Sequence, residues 1–195
     1  MAFPPAAVKI AALRREQVVS ALRTRSPYSF ASTAYDFMGG MWRAELELVH
    51  VERADNAAIE AWLASLGGPA GTFELREPDY DGPYGTVSAN PSVAVAATAR
   101  AQTLRLQMQS GEAAAAGDLL TLGGHLHVVT SAGAPDGGGV QAVTVWPRLR
   151  ADAGVGAAVE MLAPYGTWAL AGPANGYAVS QSRVRTRTLQ IVEAI

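Results

Sequence analysis

The sequence contains no cysteine, a single lysine and three histidines. The lack of cysteine excludes disulfide bonds, thiolate metal ligands and cysteine nucleophiles together. No stretch approaches the roughly 18–20 consecutive apolar residues that a membrane-spanning helix needs. The first residues also lack the basic and then apolar segments of a secretory signal peptide. We therefore expect a soluble protein that has no membrane segment, is made in the cytoplasm and is not exported by the usual route.

The charge balance of the chain is close to even. Fifteen basic residues, fourteen of them arginine, face 17 acidic residues, which gives a formal net charge of −2. Proteins that bind nucleic acid usually carry a clear excess of basic residues, so no nucleic-acid partner is predicted. The length of 195 residues suits one domain, or one domain with a modest insertion.

A short amphipathic helix is predicted over residues 56–66. Apolar residues recur there at i, i+3, i+4 and i+7, the spacing of one helix face. These residues are Ile59, Trp62, Leu63 and Leu66. Asp55 or Asn56 is expected to cap the start of the helix, and Gly67 to end it. A helix of about three turns is not stable alone in water, so we expect it to pack on a sheet.

Two strands with one apolar face are predicted on either side of this helix. The clearer one covers residues 41–51, where apolar and charged residues alternate. Its apolar face consists of Trp42, Ala44, Leu46 and Leu48. After the helix, Phe73 and Leu75 alternate with polar residues in the same way.

The N-terminal region has a weaker pattern. Residues 8–24 are compatible with a helix or a strand, and we expect a helical turn followed by a strand near 17–24. Residues 27–37 carry four aromatic residues among serines and alanines, consistent with another strand. The pair Gly39-Gly40 is expected to form a two-residue hairpin link.

The middle of the chain predicts a small all-β unit. Residues 77–91 contain three prolines, which indicates a long loop and a boundary. Five short strands follow, with a hairpin at Gly123-Gly124. They are Thr103–Met108, Leu119–Leu122, Leu126–Thr130, Val140–Val145 and Val159–Leu162. Such closely spaced strands are typical of a small barrel or sandwich with its own core.

Two further strands are predicted at 164–171 and 183–193. The apolar residues of the last strand do not keep one phase, and a bulge near Thr188 would repair this. Three arginines of this strand share one face, which we interpret as a solvated or subunit-facing edge. They are Arg183, Arg185 and Arg187.

Two groups of residues could carry chemistry, and both have simpler explanations. His125 and His127 project from one strand face, but with Asp118 as the nearest acidic residue they give only a weak metal signal. The acidic residues Glu77, Asp79 and Asp81, with Tyr80 and Tyr84, could act on a sugar or stack against one. Loop geometry also explains this acidic segment. We therefore predict no catalytic residue, no metal and no cofactor.

Several stretches, taken in order, resemble the distal tail and minor tail proteins of phages with long non-contractile tails. The first are RSPYSF with its aromatic strand, MWRAELEL and AIEAWLASLGGPAGTFELREPD. Such proteins typically show an aromatic strand, a helix ending in L-x-G, then G-T-F and a strand that closes in an acidic-proline turn. The matching ranges here are Trp42–Leu48, Trp62–Gly68 and Gly71–Pro78. GDLLTLGGHLHVVT, TVWPRLR, PYGTWALA and LQIVEAI are similar to later parts of the same proteins. The Glu-Pro-Asp segment departs from the pattern, because a small residue and Asp-Pro would be more usual.

This resemblance implies a mainly β fold. Residues 1–90 and 164–195 would form an antiparallel β-sandwich with the flanking helix 56–66, and residues 91–163 an inserted small, OB-like β-barrel. Core or assembly roles are expected for eight residues. They are Trp42, Leu46, Trp62, Leu66, Phe73, Arg183, Arg185 and Arg187.

The resemblance also implies a structural role without catalysis. The protein would be a distal tail protein of the virion, forming a homo-hexameric ring that joins the tail tube protein to the tail hub protein at the baseplate. A host-surface glycan is a candidate ligand of the inserted barrel. The alternatives are a tail completion or head–tail connector protein, and a carbohydrate-binding module.

Overall fold

The computed structural model describes residues 4–5, 8–50, 52–173, 176, 178–179 and 184–195, with only the backbone of His50 and Val179. Within these residues the chain forms twelve strands and one α-helix, and every strand pair is antiparallel. The strands are β1 (Ile10–Arg25), β2 (Ser32–His50), β3 (Thr72–Arg76), β4 (Ser92–Val95), β5 (Thr103–Gln107), β6 (Leu119–Leu122), β7 (His125–Ala132), β8 (Val140–Trp146), β9 (Val159–Glu160), β10 (Tyr165–Leu170), β11 (Ala178–Val179) and β12 (Arg185–Glu193). The prediction of a mainly β, antiparallel fold is confirmed.

The strands belong to two sheets. The first has the order β1-β2-β12-β10-β3, with β11 paired to β12. The second has the order β4-β5-β8-β7-β6-β9. A bridge between Ser92 and Ala158 joins the two ends of the second sheet. This second sheet is therefore a nearly closed barrel, and we call it the barrel.

The helix α1 (Arg53–Leu66) agrees closely with the prediction. It ends where Gly67 adopts a left-handed φ of 64°, and the N–H of Gly67 donates to the Ala64 carbonyl. The predicted N-cap is wrong, because Glu52 occupies that position and makes no side-chain cap. Ile59 is fully buried, so the apolar face of the helix lies on the first sheet as expected.

The core of the first sheet comes mainly from β2, β3, β10 and β12. The alternating residues of β2 are buried as predicted, and so are Phe73 and Leu75 of β3. The helix covers part of this core, and Leu119 and Leu126 of the barrel complete it. Leu120, the neighbour of Leu119, belongs to the separate core of the barrel. Because β6 contributes to both cores, the two sheets are packed against each other. The domain boundaries at residues 90 and 164 therefore stay a prediction.

The N-terminal prediction is wrong in two respects. Residues 10–25 are strand throughout, because β1 pairs with β2 along its whole length and this pairing overrides local helix propensity. Gly39 and Gly40 lie inside β2, and the chain turns at residues 26–31 instead. The glycines serve close packing: a Cβ on Gly40 would lie 3.0 Å from the ring of Trp146.

The prediction for the last strand is also wrong in part. The register between β12 and β2 runs without a shift from Arg185 to Val192, so there is no bulge near Thr188. The buried face of β12 includes Arg187 and Glu193 beside its apolar residues. Buried and exposed residues alternate regularly along β12 once these two charged residues are counted with the buried face. Of the middle strands, β5 to β9 and the hairpin at Gly123-Gly124 are confirmed, whereas β4 was not predicted.

Candidate assembly surface

The hairpin of β1 and β2 extends beyond the first sheet. These strands pair with each other out to Arg25 and Ser32, but β12 pairs with β2 only from Arg43 to His50. The outer part, residues 21–38, is a two-stranded ribbon to which no third strand is paired within the described residues. We call it the arm. The arm extends outward over the five strand residues Ala21–Arg25 and the first residue of the turn. At about 3.3 Å per residue, its length is about 20 Å.

The arm carries large apolar side chains that face solvent. They are Leu22, Tyr28, Phe30, Tyr35, Phe37 and Met38, and each is more than half exposed. An isolated two-stranded ribbon is at best marginally stable in water. Apolar surface concentrated in this way usually marks an interaction site. The arm is therefore the strongest candidate for an assembly surface.

The turn at residues 26–31, which we call the tip, has a defined conformation. The Ser26 hydroxyl accepts hydrogen bonds from the N–H groups of Tyr28 and Ser29, both at 3.3 Å. The guanidinium of Arg25 lies 4.8 Å from the centre of the Phe30 ring. The Tyr28 side chain is left 95% exposed. The tip thus presents aromatic side chains on a structured turn.

The arm begins at an irregular pairing. Ser20 pairs with Gly39, but Ala21 pairs with Asp36, so β2 has two extra residues at this point. The Asp36 carboxylate accepts a hydrogen bond of 2.8 Å from the N–H of Met38, which has a φ of 59°. Such bulges bend a strand and change its twist. The bulge therefore sets the direction in which the arm leaves the sheet.

A buried group of charges binds this region to the barrel. Arg150 donates to both carboxylate oxygens of Glu193, at 3.0 and 2.6 Å, and to the Gly40 carbonyl at 2.6 Å. The N–H of Trp42 donates to the same carboxylate, and Nδ1 of His125 lies 3.4 Å from it. Burial alone would raise the pKa of Glu193, but the nearby His125 ring and the hydrogen bonds from Arg150 and the Trp42 backbone lower it to about 2. Glu193 is therefore ionised at neutral pH.

The predicted acidic cluster does not form a site. Glu77 pairs with Arg15 of β1, and Arg15 also lies 4.6 Å from the ring centre of Trp42. Burial raises the pKa of Glu77, although the positive charge of Arg15 acts in the opposite direction. Asp79 and Asp81 are exposed. The Arg15–Glu77 pair is structural, because it joins β1 to the chain just after β3, the opposite edge of the same sheet.

The two tyrosines of the predicted loop have different surroundings. The hydroxyl of Tyr80 donates 2.9 Å to the Met161 carbonyl, and Tyr80 is partly buried. The Tyr84 side chain is 80% exposed. The pair is therefore not arranged as a common stacking surface for a sugar.

The two histidines of β7 are part of the packing between the sheets. His127 is 1% exposed, and its Nδ1 lies 2.8 Å from the Pro147 carbonyl. Burial lowers the pKa of His127 to about 4. Asp118 accepts from the N–H groups of Tyr84 and Ala115 instead of approaching the histidines. No group of three or more potential metal-binding side chains occurs in the described part of the chain.

The residues expected in core or assembly roles divide into three groups. Trp42, Leu46 and Phe73 are buried in the first core, whereas Trp62 and Leu66 are only partly buried at its edge. The prediction that Arg187 lies on a solvated or subunit-facing edge is wrong, because this side chain is buried and pairs with Glu60 of the helix. Arg185 is half-buried, and Arg183 lies outside the described residues.

Sequence reasoning missed Arg150, Glu193 and the exposure of the arm. The two charged residues are 43 positions apart, and no local pattern connects them. The sequence does contain an indication of the arm: residues 27–37 carry four aromatic residues, and no neighbouring segment has an apolar pattern that would cover them.

No protein-family model and no curated protein matches this sequence. The described residues also include no helix with the length and hydropathy needed to cross a membrane. The resemblance of the motifs to phage tail proteins therefore stays a prediction, and the arm is the structural feature from which a function can be inferred.

Proposed function

We propose that this protein is a structural component of the tail tip of a phage with a long non-contractile tail. In this proposal it is a distal tail protein, and copies of it form a hexameric ring between the tail tube protein and the tail hub protein. The main support for the proposal is the arm, because binding to another protein would bury its exposed apolar side chains.

The amount of apolar surface supports assembly as the role of the arm. Burying one large apolar side chain contributes about 1.5–3 kcal/mol. Six such side chains are exposed on this one ribbon, and apolar surface concentrated in this way commonly marks a protein–protein interaction site. Contacts between different patches of identical subunits generate a closed ring when the rotation between subunits closes.

The location at the tail tip comes from the ordered motifs of the sequence. They extend from the aromatic N-terminal strands to the last strand, and the helix that carries the L-x-G motif ends at Gly67 in a left-handed conformation. A mainly β scaffold with a single helix is also what the resemblance implies.

Mass photometry and negative-stain microscopy of the purified protein test the ring. We expect closed particles with six-fold symmetry at micromolar concentration. A protein that stays monomeric under these conditions would contradict the proposal.

Antibody labelling of intact virions tests the position. Label at the distal end of the tail supports a distal tail protein. Label at the neck would identify a tail completion or head–tail connector protein instead.

A further inference from the structure

The base of the arm is held by side chains of the barrel. The guanidinium of Arg150 donates to the Gly40 carbonyl at 2.6 Å and to both carboxylate oxygens of Glu193. The ring of Trp146 also packs against Gly40, where a Cβ would lie 3.0 Å from it. Both contacts lie beside the point where the arm leaves the sheet. We call Arg150, Glu193 and the Gly40 carbonyl the latch.

Two histidines lie next to the latch. His127 is 1% exposed, and its Nδ1 lies 2.8 Å from the Pro147 carbonyl. Nδ1 of His125, on the same strand, lies 3.4 Å from Oε1 of Glu193. The charged and titratable groups that face His127 are His125 of its own strand, Arg150 of the segment after β8 and Glu193 of β12. A change of charge on His127 therefore acts directly on the latch.

We propose that the latch fixes the direction of the arm at neutral pH and that protonation of His127 releases it. The inference concerns a single copy of the chain, so it does not depend on the proposed ring. It adds a condition under which the arm changes its orientation relative to the barrel.

The charges at the latch are balanced only while the histidines are neutral. The positive charge of Arg150 then pairs with the negative charge of Glu193. A proton on His127 adds a second buried positive charge that faces the same carboxylate. A buried charge that lacks a partner is unfavourable. Protonation therefore makes His127 and Arg150 compete for Glu193.

A second carboxylate is available to Arg150. Both histidines, Arg150 and Asp152 line one cavity of about 270 Å³. Asp152 is exposed, so a guanidinium that turns into this cavity moves toward solvent and toward a negative charge. The same movement removes the donor from the Gly40 carbonyl. The latch therefore has two discrete arrangements, which is what a conformational switch requires.

The pKa of His127 agrees with this direction. Burial lowers it from 6.5 to about 4 in the latched protein. Release exposes the ring to water, so the released arrangement binds a proton between these two values and the latched one does not. The ratio of released to latched molecules should therefore rise as the pH falls from 6.5 to 4, by up to about tenfold per pH unit.

Single-molecule energy transfer measures the direction of the arm. The two dyes are attached at Ala34→Cys in the arm and Thr103→Cys on β5 of the barrel. Both sites are exposed, and the chain has no cysteine of its own. Picomolar concentration keeps the copies apart during the measurement. We expect one narrow distribution of transfer efficiency at pH 7 and a second population that grows as the pH falls below 6.

Three variants identify the group that titrates. His127→Gln removes the proton acceptor and should keep the single narrow population down to pH 4.5. His50→Gln is the matched control, because it replaces the third histidine of the chain, ten residues from Gly40 along β2. It should behave like the wild type. Asp152→Asn removes the charge of the second partner and should move the release to lower pH.

Two results would overturn the inference. One is a wild-type distribution that does not change between pH 7 and pH 4.5. The other is release of the arm at the same pH in the wild type and in His127→Gln. Far-ultraviolet circular dichroism over the same range distinguishes release, which leaves the β signal unchanged, from unfolding. A β signal lost together with the narrow population would show unfolding of the whole chain and would also contradict the latch.

Discussion

At the scale of single residues, one buried carboxylate connects the arm, the sheet and the barrel. The side chain of Glu193 is only 2% exposed, and it accepts hydrogen bonds from Arg150 and from the backbone of Trp42. Arg150 also binds the Gly40 carbonyl at the base of the arm. A buried charge of this kind is tolerated only while its partners are present.

Arg150→Ala should therefore destabilise the fold strongly. It leaves Glu193 buried without its cation, and such a loss costs about 3–5 kcal/mol of the free energy of unfolding. Urea denaturation of the variant measures this cost. Arg148→Ala is the control, because within the described residues Arg148 donates to the Arg100 carbonyl at an exposed site and pairs with no buried carboxylate. Equal costs for the two variants would show that the Glu193 pair is not important for stability.

The titration of His127 predicts sensitivity to mild acid. Its pKa falls from 6.5 in the unfolded chain to about 4 in the folded protein, because burial disfavours the charged ring. The unfolded state then binds more protons between these values, so stability decreases as the pH falls from 6.5 to 4. At about 1.4 kcal/mol per pKa unit, the full effect is about 3 kcal/mol.

Thermal midpoints measured between pH 7 and pH 4 check this prediction. His127→Gln removes the titrating ring and should flatten the curve between pH 6.5 and 4.5. Below pH 4.5 a second loss is expected, because the pKa of Glu193 is lowered in the folded state. If the thermal midpoint of the His127→Gln variant falls with pH as steeply as that of the wild type, His127 is not the cause of the acid sensitivity.

At the scale of elements, the helix shows how burial modifies the sequence pattern. Ile59 and Leu63 are buried, whereas Trp62 is only partly buried and meets the ring of Phe73 edge-on at 5.1 Å. The sequence spacing placed all of them on one face. Which of these residues is most buried depends on how far the sheet extends beneath the helix.

Substitutions in the helix should reflect this difference. Ile59→Ala removes a fully buried side chain, so we expect a loss of about 2–5 kcal/mol. Trp62→Ala should cost less than the 3–5 kcal/mol typical of a fully buried ring. Denaturant unfolding of both variants measures the order. A larger cost for Trp62 would mean that the helix packs through its tryptophan.

Strong periodic patterns were predicted correctly, and long-range pairing explains the errors. The strand with Trp42 and Leu46 keeps a strict period of two, and this is a property of the residues themselves. The pattern of residues 10–17 is ambiguous, and only the register with β2 makes this segment a strand. Arg187 was expected at an exposed edge, because no sequence pattern indicates that Glu60 of the helix lies above it.

At the scale of the whole molecule, the two sheets form a base from which the arm projects. Residues of β6 and β7 belong to the cores of both sheets, and the Thr167 N–H donates 2.9 Å to the Gly124 carbonyl. The arm contributes no residue to either core. Stability and assembly are therefore expected to depend on different parts of the chain.

Replacing residues 21–38 by Asn-Gly tests this separation. The new two-residue turn would join Ser20 to Gly39, which already face each other across the hairpin. We expect a thermal midpoint close to that of the wild type and a monomer by mass photometry. An armless protein that still forms rings would place the assembly contacts elsewhere on the molecule.

Local sequence patterns were enough to predict the β class, the helix with its glycine end, and most of the short strands of the barrel. Those features follow from local periodicity and turn chemistry, which act between residues close in the chain. The three-dimensional arrangement of the strands was needed to show that the aromatic N-terminal hairpin projects into solvent, and that Arg187 and Glu193 are buried. Exposure and charge pairing depend on which distant strands become neighbours, and a local pattern does not contain that information.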